Sequence, residues 1–225
     1  MRFNLLDGSL QPGLAKELQE PEPGVLVLPL QEGTTWSDGT ELTADDVVFT
    51  FELADKVALG YSNAWTYLES VEAIDPRTVR FTVKKKPYNP GSVKDAIAAT
   101  FIVPKHVWAS VDLHQILKET NLEPVGSGPF TLERYDQTQI NLTRFDDYWG
   151  KKIFGTPAMT TINHPIFKSN NDSDLKLASG ELDAAQTFTS QIWKMWEKGA
   201  PVGTWLKEKP YYLPGTCHCS RSTRT

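Results

Sequence analysis

A tight turn followed by an amphipathic helix constrains the fold of this chain most. The run Trp36–Thr40 reads Trp-Ser-Asp-Gly-Thr, and its Asp-Gly pair is a strong turn signal. Thr43 can then cap a helix, and Asp45 and Asp46 bring negative charge to its positive end. Apolar residues recur at helical spacing afterwards, at Val47, Val48, Phe51, Ala54 and Ala58. The segment therefore predicts a helix that begins at Thr43 and packs one face against a core.

Alternating segments predict two β-hairpins. Residues 71–74 and 78–83 flank Asp75-Pro76-Arg77, and residues 130–132 and 140–142 flank Asp136-Gln137. Further strands are expected at 25–28, 101–104 and 182–185, and further helices at 106–109, 174–179 and 192–198. This mixture of strands and helices indicates an α/β or mixed α+β fold.

Charge and hydropathy exclude two classes of protein. The 225 residues carry a formal net charge of −5, whereas a nucleic-acid surface needs clustered Lys and Arg. The basic run Lys84–Lys86 follows a predicted strand and is interpreted as a solvated strand end. Since no run of 18 apolar residues occurs, no transmembrane helix is expected. No export signal follows Met1, and residues 217–225, with Cys217 and Cys219, are expected to be a disordered tail.

No residue pattern points to catalysis, a metal or a cofactor. Asp45 and Asp46 are adjacent on a helix and face different directions, so they cannot converge on one substrate. The run 126–128 lacks the Lys-Ser/Thr of a phosphate-binding loop, and no Gly-x-Ser-x-Gly occurs. Zinc-binding spacing is missing among the histidines, which include His106, His114 and His164. We therefore expect a protein that is not an enzyme and needs no cofactor.

Several segments resemble, in order, the recurrent blocks of one family. The blocks are 7–15 (Asp-Gly…Pro-Gly-Leu-Ala), 36–52, 104–108 (Pro-Lys-His-Val-Trp), 126–130, 147–150 and 179–183. Each block alone is weak, because Asp-Gly turns and capped helices are common, but their shared order over residues 7–212 is specific. The chain resembles the extracellular solute-binding proteins of ABC importers, family 5, which includes oligopeptide- and dipeptide-binding proteins.

The resemblance implies a two-lobed, periplasmic-binding-protein-like fold that encloses ligand between its lobes. Residues 1–110 would form a small subdomain and the early strands of the first lobe, and residues 111–205 the main part of that lobe. Residues 206–225 would be a truncated start of the second lobe and a tail. The chain is thus expected to be an N-terminal fragment, which offers one wall of the cleft and binds solute weakly, or a fragment without function.

The resemblance also implies a biological setting. The intact protein is expected to capture a small polymer solute and deliver it to ABC transporter permease subunits. It would be periplasmic or extracellular, anchored as a lipoprotein, and monomeric at full length.

Residues of the motif blocks are interpreted as structural. In the turn, Gly39 permits a positive φ, Asp38 can bond backbone N–H groups, and Trp36 can bury a large area. The full set is Trp36, Asp38, Gly39, Thr43, Asp46, Gly126, Gly128 and Pro129.

Aromatic residues in polar surroundings are the candidates for ligand contact. The resemblance places the stretch after residues 179–183, and the strand that enters the second lobe, against the cleft. The candidates are Trp65, Gln186, Phe188, Trp193, Tyr211 and Tyr212. Rings with a few polar groups suit a solute pocket, although core or surface packing fits each ring singly as well. The ligand stays open between a peptide, slightly favoured, and a β-linked oligosaccharide, whose flat faces also lie on rings.

Overall fold

A computed structural model describes residues 1–4, 7–118 and 120–185 of the chain. Contacts divide the chain into two compact units. Of the described residues, 1–4, 9–118 and 120–164 belong to the first unit, and 7–8 and 165–185 belong to the second. The expected boundaries near residues 110 and 205 concern the lobes of a two-lobed protein and stay a prediction.

A four-stranded sheet lies at the centre of the first unit, in the order β3–β4–β6–β5. Its strands are β3 (Gln19–Glu22), β4 (Val25–Pro29), β5 (Leu68–Asp75) and β6 (Thr78–Val83). The antiparallel register sets Leu26 opposite Phe81 and Leu28 opposite Val79, and all four side chains are buried. The predicted strand at 25–28 and hairpin at 71–83 are therefore confirmed. Two short paired strands, β1 (Arg2–Phe3) and β2 (Leu10–Gln11), precede this sheet.

Helix α1 (Ala44–Lys56) begins where the sequence predicted, directly after its N-cap Thr43. The start is a capping box, in which the Asp46 carboxylate accepts the Thr43 backbone N–H at 2.9 Å. This bond satisfies a donor that would otherwise lack a partner at the helix end.

The inward face of α1 packs on the sheet. Val47 and Phe51 are buried there, and the Phe51 ring meets Phe81 edge-on with 4.9 Å between ring centroids. The helix ends at Lys56 because the next residue adopts an extended conformation. Ala58, expected on the same face, lies beyond the helix and is exposed.

The connection from residue 84 to residue 129 contains two helices. α2 (Pro90–Ala99), whose N-cap Asn89 accepts the Ser92 backbone N–H at 3.1 Å, was not predicted. α3 (Lys105–Trp108) confirms the helix expected near His106. The strand predicted at 101–104 is wrong.

Within residues 101–104, Val103 forms a hydrogen bond to a helix and not to a strand. The Val103 backbone N–H donates to the Thr50 hydroxyl of α1 at 3.0 Å, and the Phe101 side chain is 89% exposed. A short apolar run before a proline gave the same pattern as a buried strand.

A three-stranded sheet follows, in the order β7–β8–β9. β7 (Phe130–Tyr135) pairs antiparallel with β8 (Gln139–Arg144), which confirms the second predicted hairpin. Helix α4 (Lys151–Phe154) separates β8 from β9 (Thr161–Pro165).

In the second unit, α5 (Asn170–Ala178) begins four residues before the predicted start at Asp174. Its N-cap Ser169 accepts the Asp172 backbone N–H at 3.2 Å, a signal that the apolar pattern did not include.

The strand predicted at 182–185 is wrong, because these residues form no strand and most of their side chains are exposed. The predicted helix at 192–198 and the tail at 217–225 lie outside the described residues. Within the described ranges, no helix is long and apolar enough to cross a membrane.

Candidate functional site

A buried carboxylate, Asp46, joins three segments of the first unit. Its residue is only 5% exposed. Oδ2 accepts the Thr43 backbone N–H at 2.9 Å and the Trp36 indole N–H at 3.4 Å, while Oδ1 accepts the Lys105 backbone N–H at 2.8 Å. The carboxylate therefore connects the Trp36 turn, the start of α1 and the start of α3. The sequence indicated only the charge at the helix start, because Lys105 is 59 positions away.

Asp38 connects the same turn to α3. Its Oδ1 accepts the Thr40 backbone N–H at 2.9 Å, and its Oδ2 lies 2.7 Å from His106 Nε2. Partial burial alone would raise the pKa of the Asp38 carboxyl, but the hydrogen bonds with Thr40 and His106 hold that pKa below its ordinary value. Gly39 has a φ of 87°, in the left-handed region that favours glycine. These are the contacts expected for Asp38 and Gly39, whereas the pairing with His106 was not predicted.

The loop at 126–129 is held against the turn by two hydrogen bonds. The Ser37 backbone N–H donates to the Gly126 carbonyl at 2.8 Å, and the Gly126 N–H donates to Ser37 Oγ at 3.2 Å. The Trp149 indole N–H donates to the Ser127 carbonyl at 2.9 Å. The remaining motif residues of this loop are Gly128 and Pro129, directly before β7. Four of the motif blocks, 36–52, 104–108, 126–130 and 147–150, thus contact one another in the first unit.

Arg77 joins residues on both sides of the Trp36 turn, and no sequence motif predicted this role. Its Nη1 donates to Thr34 Oγ1 at 2.6 Å and to the Leu42 carbonyl at 2.9 Å, and its Nη2 pairs with Glu41. The only sequence signal was its place after Pro76 in a turn, which says nothing about a partner 43 positions away.

The polar groups of these motifs form hydrogen bonds with one another, which indicates that they stabilise the fold and do not bind a ligand. The neighbouring carboxylates diverge as predicted: Asp46 is buried, while Asp45 is exposed with 3.8 Å between its Oδ2 and Lys105 Nζ. His114 and His164 are both exposed. Over the described residues, no cluster of three His, Cys, Asp or Glu side chains could hold a metal ion.

Trp65 is the one candidate ligand residue that the structure describes. Its indole N–H donates to the Phe51 carbonyl at 2.7 Å, and its own carbonyl accepts Lys84 Nζ at 2.6 Å. The half-buried ring packs on the core. A solute could therefore use only the open part of the ring. Lys84 was expected to be fully solvated with Lys85 and Lys86, but its ammonium is anchored by this bond.

The other candidates lie outside the described residues, so their role stays a prediction. They are Gln186, Phe188, Trp193, Tyr211 and Tyr212.

A cavity of about 400 Å³ lies beside the β7–β8 hairpin. Its walls are mainly apolar and include Leu122, Phe130, Leu132, Tyr135, Ile140 and Leu142. Among the described residues, its polar side chains include those of Thr120, Asn121 and Thr131, and no charged residue contributes to the lining. Alternation along the strands predicted an apolar face here, but it gave no sign that the face would border a cavity of ligand size.

The family model for bacterial extracellular solute-binding proteins, family 5 Middle, matches residues 9–214. Among curated relatives, the oligopeptide-binding protein AppA of Bacillus subtilis is 31% identical over 176 residues, which cover 76% of this chain and 31% of AppA. The probable peptide-binding protein YejA of Agrobacterium fabrum is 29% identical over 172 residues, which cover 73% of this chain and 28% of YejA. The chain therefore spans about a third of the length of these relatives.

Solved structures of similar proteins share the fold. A periplasmic oligopeptide-binding protein of Thermotoga maritima, crystallised with mannohexaose, has a TM-score of 0.79 and 33% identity, covering 95% of this chain and 39% of that protein. Bacillus subtilis AppA in complex with a nonapeptide has a TM-score of 0.67 and 29% identity, covering 78% of this chain and 35% of that protein. The expected mixed helix-and-sheet fold of this class is confirmed. From the match over residues 9–214 and the agreement in fold, the chain belongs to the bacterial extracellular solute-binding proteins of family 5.

Proposed function

We propose that this chain is part of the solute-binding receptor of an ABC importer and that its solute is an oligopeptide. The observation that supports this most is the likeness in both sequence and fold to Bacillus subtilis AppA in complex with a nonapeptide, at 29% identity over 78% of this chain. The curated relatives AppA and YejA, named for peptide binding, support the same ligand class.

The described residues suit the fixed part of such a receptor. A receptor that closes about a hinge needs lobes that move as rigid bodies, with ligand stabilising the closed state by its extra contacts there. The hydrogen bonds of Asp46 and Asp38 between the Trp36 turn, α1 and α3 give rigidity of this kind. They leave recognition to other residues, for which Phe188 and Tyr211 are candidates.

An oligosaccharide is the second candidate solute. The Thermotoga maritima protein that resembles this chain holds mannohexaose. Flat sugar faces bind to aromatic rings, and the chain has seven Trp and seven Tyr.

The proposal includes a location and a partner. A receptor of this family would act outside the cytoplasmic membrane, as a lipoprotein monomer that docks on ABC permease subunits, and would catalyse no reaction. Uptake of labelled peptide by membrane vesicles that contain the permease tests the partner: uptake should require the receptor.

Calorimetric titration of the complete product of the gene tests the ligand class. A nonapeptide should bind at one site per protein, and mannohexaose should not. Phe188→Ala and Tyr211→Ala should each weaken peptide binding about tenfold, since a buried aromatic contact contributes roughly 1–2 kcal/mol. Tyr88→Ala is the matched control, because this ring is 51% exposed and is not a candidate. Binding of mannohexaose alone would establish the second candidate, and binding of neither solute would contradict the proposal.

A further inference from the structure

A second pocket in the first unit has a different chemistry from the apolar cavity beside β7 and β8. Its volume is about 420 Å³, within the range of small-molecule sites. Three aromatic side chains line it, those of Tyr148, Trp149 and Phe154. Among the described residues of its lining, Arg2 is the only charged one, and none is acidic.

The Arg2 guanidinium lies at this pocket and has no carboxylate partner among the residues that the structure describes. Its Cζ lies 5.0 Å from the centre of the Phe154 ring, a cation–π contact. No hydrogen bond or ion pair joins the guanidinium to any residue in the described ranges. A ring contact provides no oxygen acceptor, so the N–H donors of Arg2 remain available for a carboxylate, which the guanidinium can bind with two parallel bonds.

The aromatic wall is preformed. The Trp149 ring is fixed through its N–H bond to the Ser127 carbonyl, and it meets Phe154 edge-on with 5.9 Å between centroids. Tyr148 folds back over Gly150, where an added Cβ would lie 2.3 Å from the Tyr148 hydroxyl oxygen. A side chain at position 150 would displace that ring, which packs on Trp149 with 5.4 Å between ring centroids. Packing of the three rings on one another limits the conformational freedom that they can lose when a ligand binds.

We propose that this pocket binds a small carboxylate whose carbon skeleton is a flat apolar ring. Arg2 would take the carboxylate, and the rings of Tyr148, Trp149 and Phe154 would pack on the skeleton. A free amino acid fits poorly, because its ammonium group would lie beside Arg2. Two kinds of ligand carry a carboxylate and an aromatic ring without a nearby ammonium group. One is an arylalkyl acid, and the other is the C-terminal aromatic residue of a peptide, whose nitrogen is in an amide bond.

Matched acids and amides test the pocket on the 225-residue chain by ligand-observed NMR titration. The pairs are 3-phenylpropionate with 3-phenylpropionamide, and N-acetyl-Gly-Phe with its C-terminal amide. Each acid should bind about tenfold more tightly than its amide, as expected for a charge-assisted hydrogen-bonded pair. The tighter of the two acids identifies the source. Only the peptide source rests on the proposed function, and a failure of nonapeptide capture leaves the phenylpropionate result valid.

Two variants locate the site. Arg2→Gln should abolish the preference for acid over amide, and Phe154→Leu should weaken both members of each pair. Lys152→Gln is the control, because it removes the same charge from an exposed position on α4 outside the pocket lining. Both Arg2 and Lys152 are exposed, so the thermal midpoints of Arg2→Gln and Lys152→Gln should stay equal to that of the native chain. Equal binding of acid and amide, an unchanged preference in Arg2→Gln, or no saturable binding up to ~10 mM would overturn the proposal.

Discussion

The two sheets differ in how deeply their side chains are buried. In the four-stranded sheet, Leu26, Val79 and Phe81 are at most 1% exposed and pack beneath α1. In the three-stranded sheet, no described side chain of β7, β8 or β9 is buried to that degree. Both sheets nevertheless show alternating apolar residues in the sequence.

The difference shows that alternating apolar residues predict which strands pair, but not whether another element packs over the sheet. The first sheet is covered by α1, whose Val47 and Phe51 side chains are buried in the same core. The apolar side chains of the β7–β8 hairpin, among them Leu132 and Leu142, instead border a cavity of about 400 Å³. We therefore expect the described chain to derive most of its stability from the first sheet.

The largest expected effect is loss of the central ring of the first sheet. Phe81→Ala removes a ring that is 1% exposed and contacts Phe51, and it should lower the free energy of unfolding by about 3–5 kcal/mol. Phe130→Ala in β7 is the matched truncation at a half-buried site and should cost about 1 kcal/mol. Urea denaturation measures both, and equal costs would remove the contrast between the sheets.

The next effect concerns the carboxylate beside the first sheet. Asp46→Ala leaves three donors without their acceptor, and it should cost about 3 kcal/mol. Asp45→Ala changes the neighbouring carboxylate in the same helical turn and should cost only about 0.5 kcal/mol, because its charge is exposed. Chemical denaturation of the two variants compares them directly. If Asp45→Ala were as costly as Asp46→Ala, helix-end charge rather than the buried bonds would explain the stability.

A smaller effect is the pH dependence of the turn. The lowered pKa of Asp38 means that the folded state binds its proton less readily than the unfolded state, whose pKa is about 3.9. The stabilisation is complete above the unfolded value and is lost as pH falls through the folded value. The difference in thermal midpoint between the native chain and Asp38→Asn should therefore shrink as pH falls from about 5 to about 3. A gap that widened in acid would have the opposite sign and would contradict the prediction.

The smallest effect is local to the turn between β7 and β8. Hydrogen bonds from the Thr138 hydroxyl and backbone N–H, from the Gln139 N–H, and the charge of Arg134 lower the pKa of Asp136 to about 2. The turn should keep this contribution at neutral pH and lose it only as pH falls through about 2. NMR titration of the carboxyl checks the value. Thr138→Ala should raise it, and an Asp136 pKa near the ordinary value in the native chain would show that the turn bonds are absent.

Local patterns predicted the elements that carry their own signals. The Trp36 turn, the start of α1 and both hairpins follow from residues within a few positions of one another, because turn and cap bonds are local. The run 101–104 failed for the complementary reason. Its apolar residues resembled a strand, but the backbone N–H of Val103 donates to the Thr50 hydroxyl in α1.

Long-range contacts of single side chains had no signal in the sequence. The hydrogen bond between Asp46 and Lys105 joins residues 59 positions apart, and those of Arg77 join residues 35 to 43 positions apart. Polar residues of these types also occur on exposed surfaces, so the sequence did not indicate the contacts. The cavities were not predicted either. A cavity forms where no distant segment packs against a face, and the sequence of the face itself does not show this. Of the predicted ligand residues, only Trp65 lies in the described part, where its N–H is already bonded.

Hydrogen exchange of backbone amides in the native chain tests the difference between the two sheets most directly. Amides of β4 and β6 should exchange through nearly complete unfolding, while those of β7 and β8 should open locally. The first group should therefore be protected at least about tenfold more strongly, which corresponds to roughly 1.4 kcal/mol of opening free energy. Equal protection in the two sheets, or stronger protection in β7 and β8, would contradict the account.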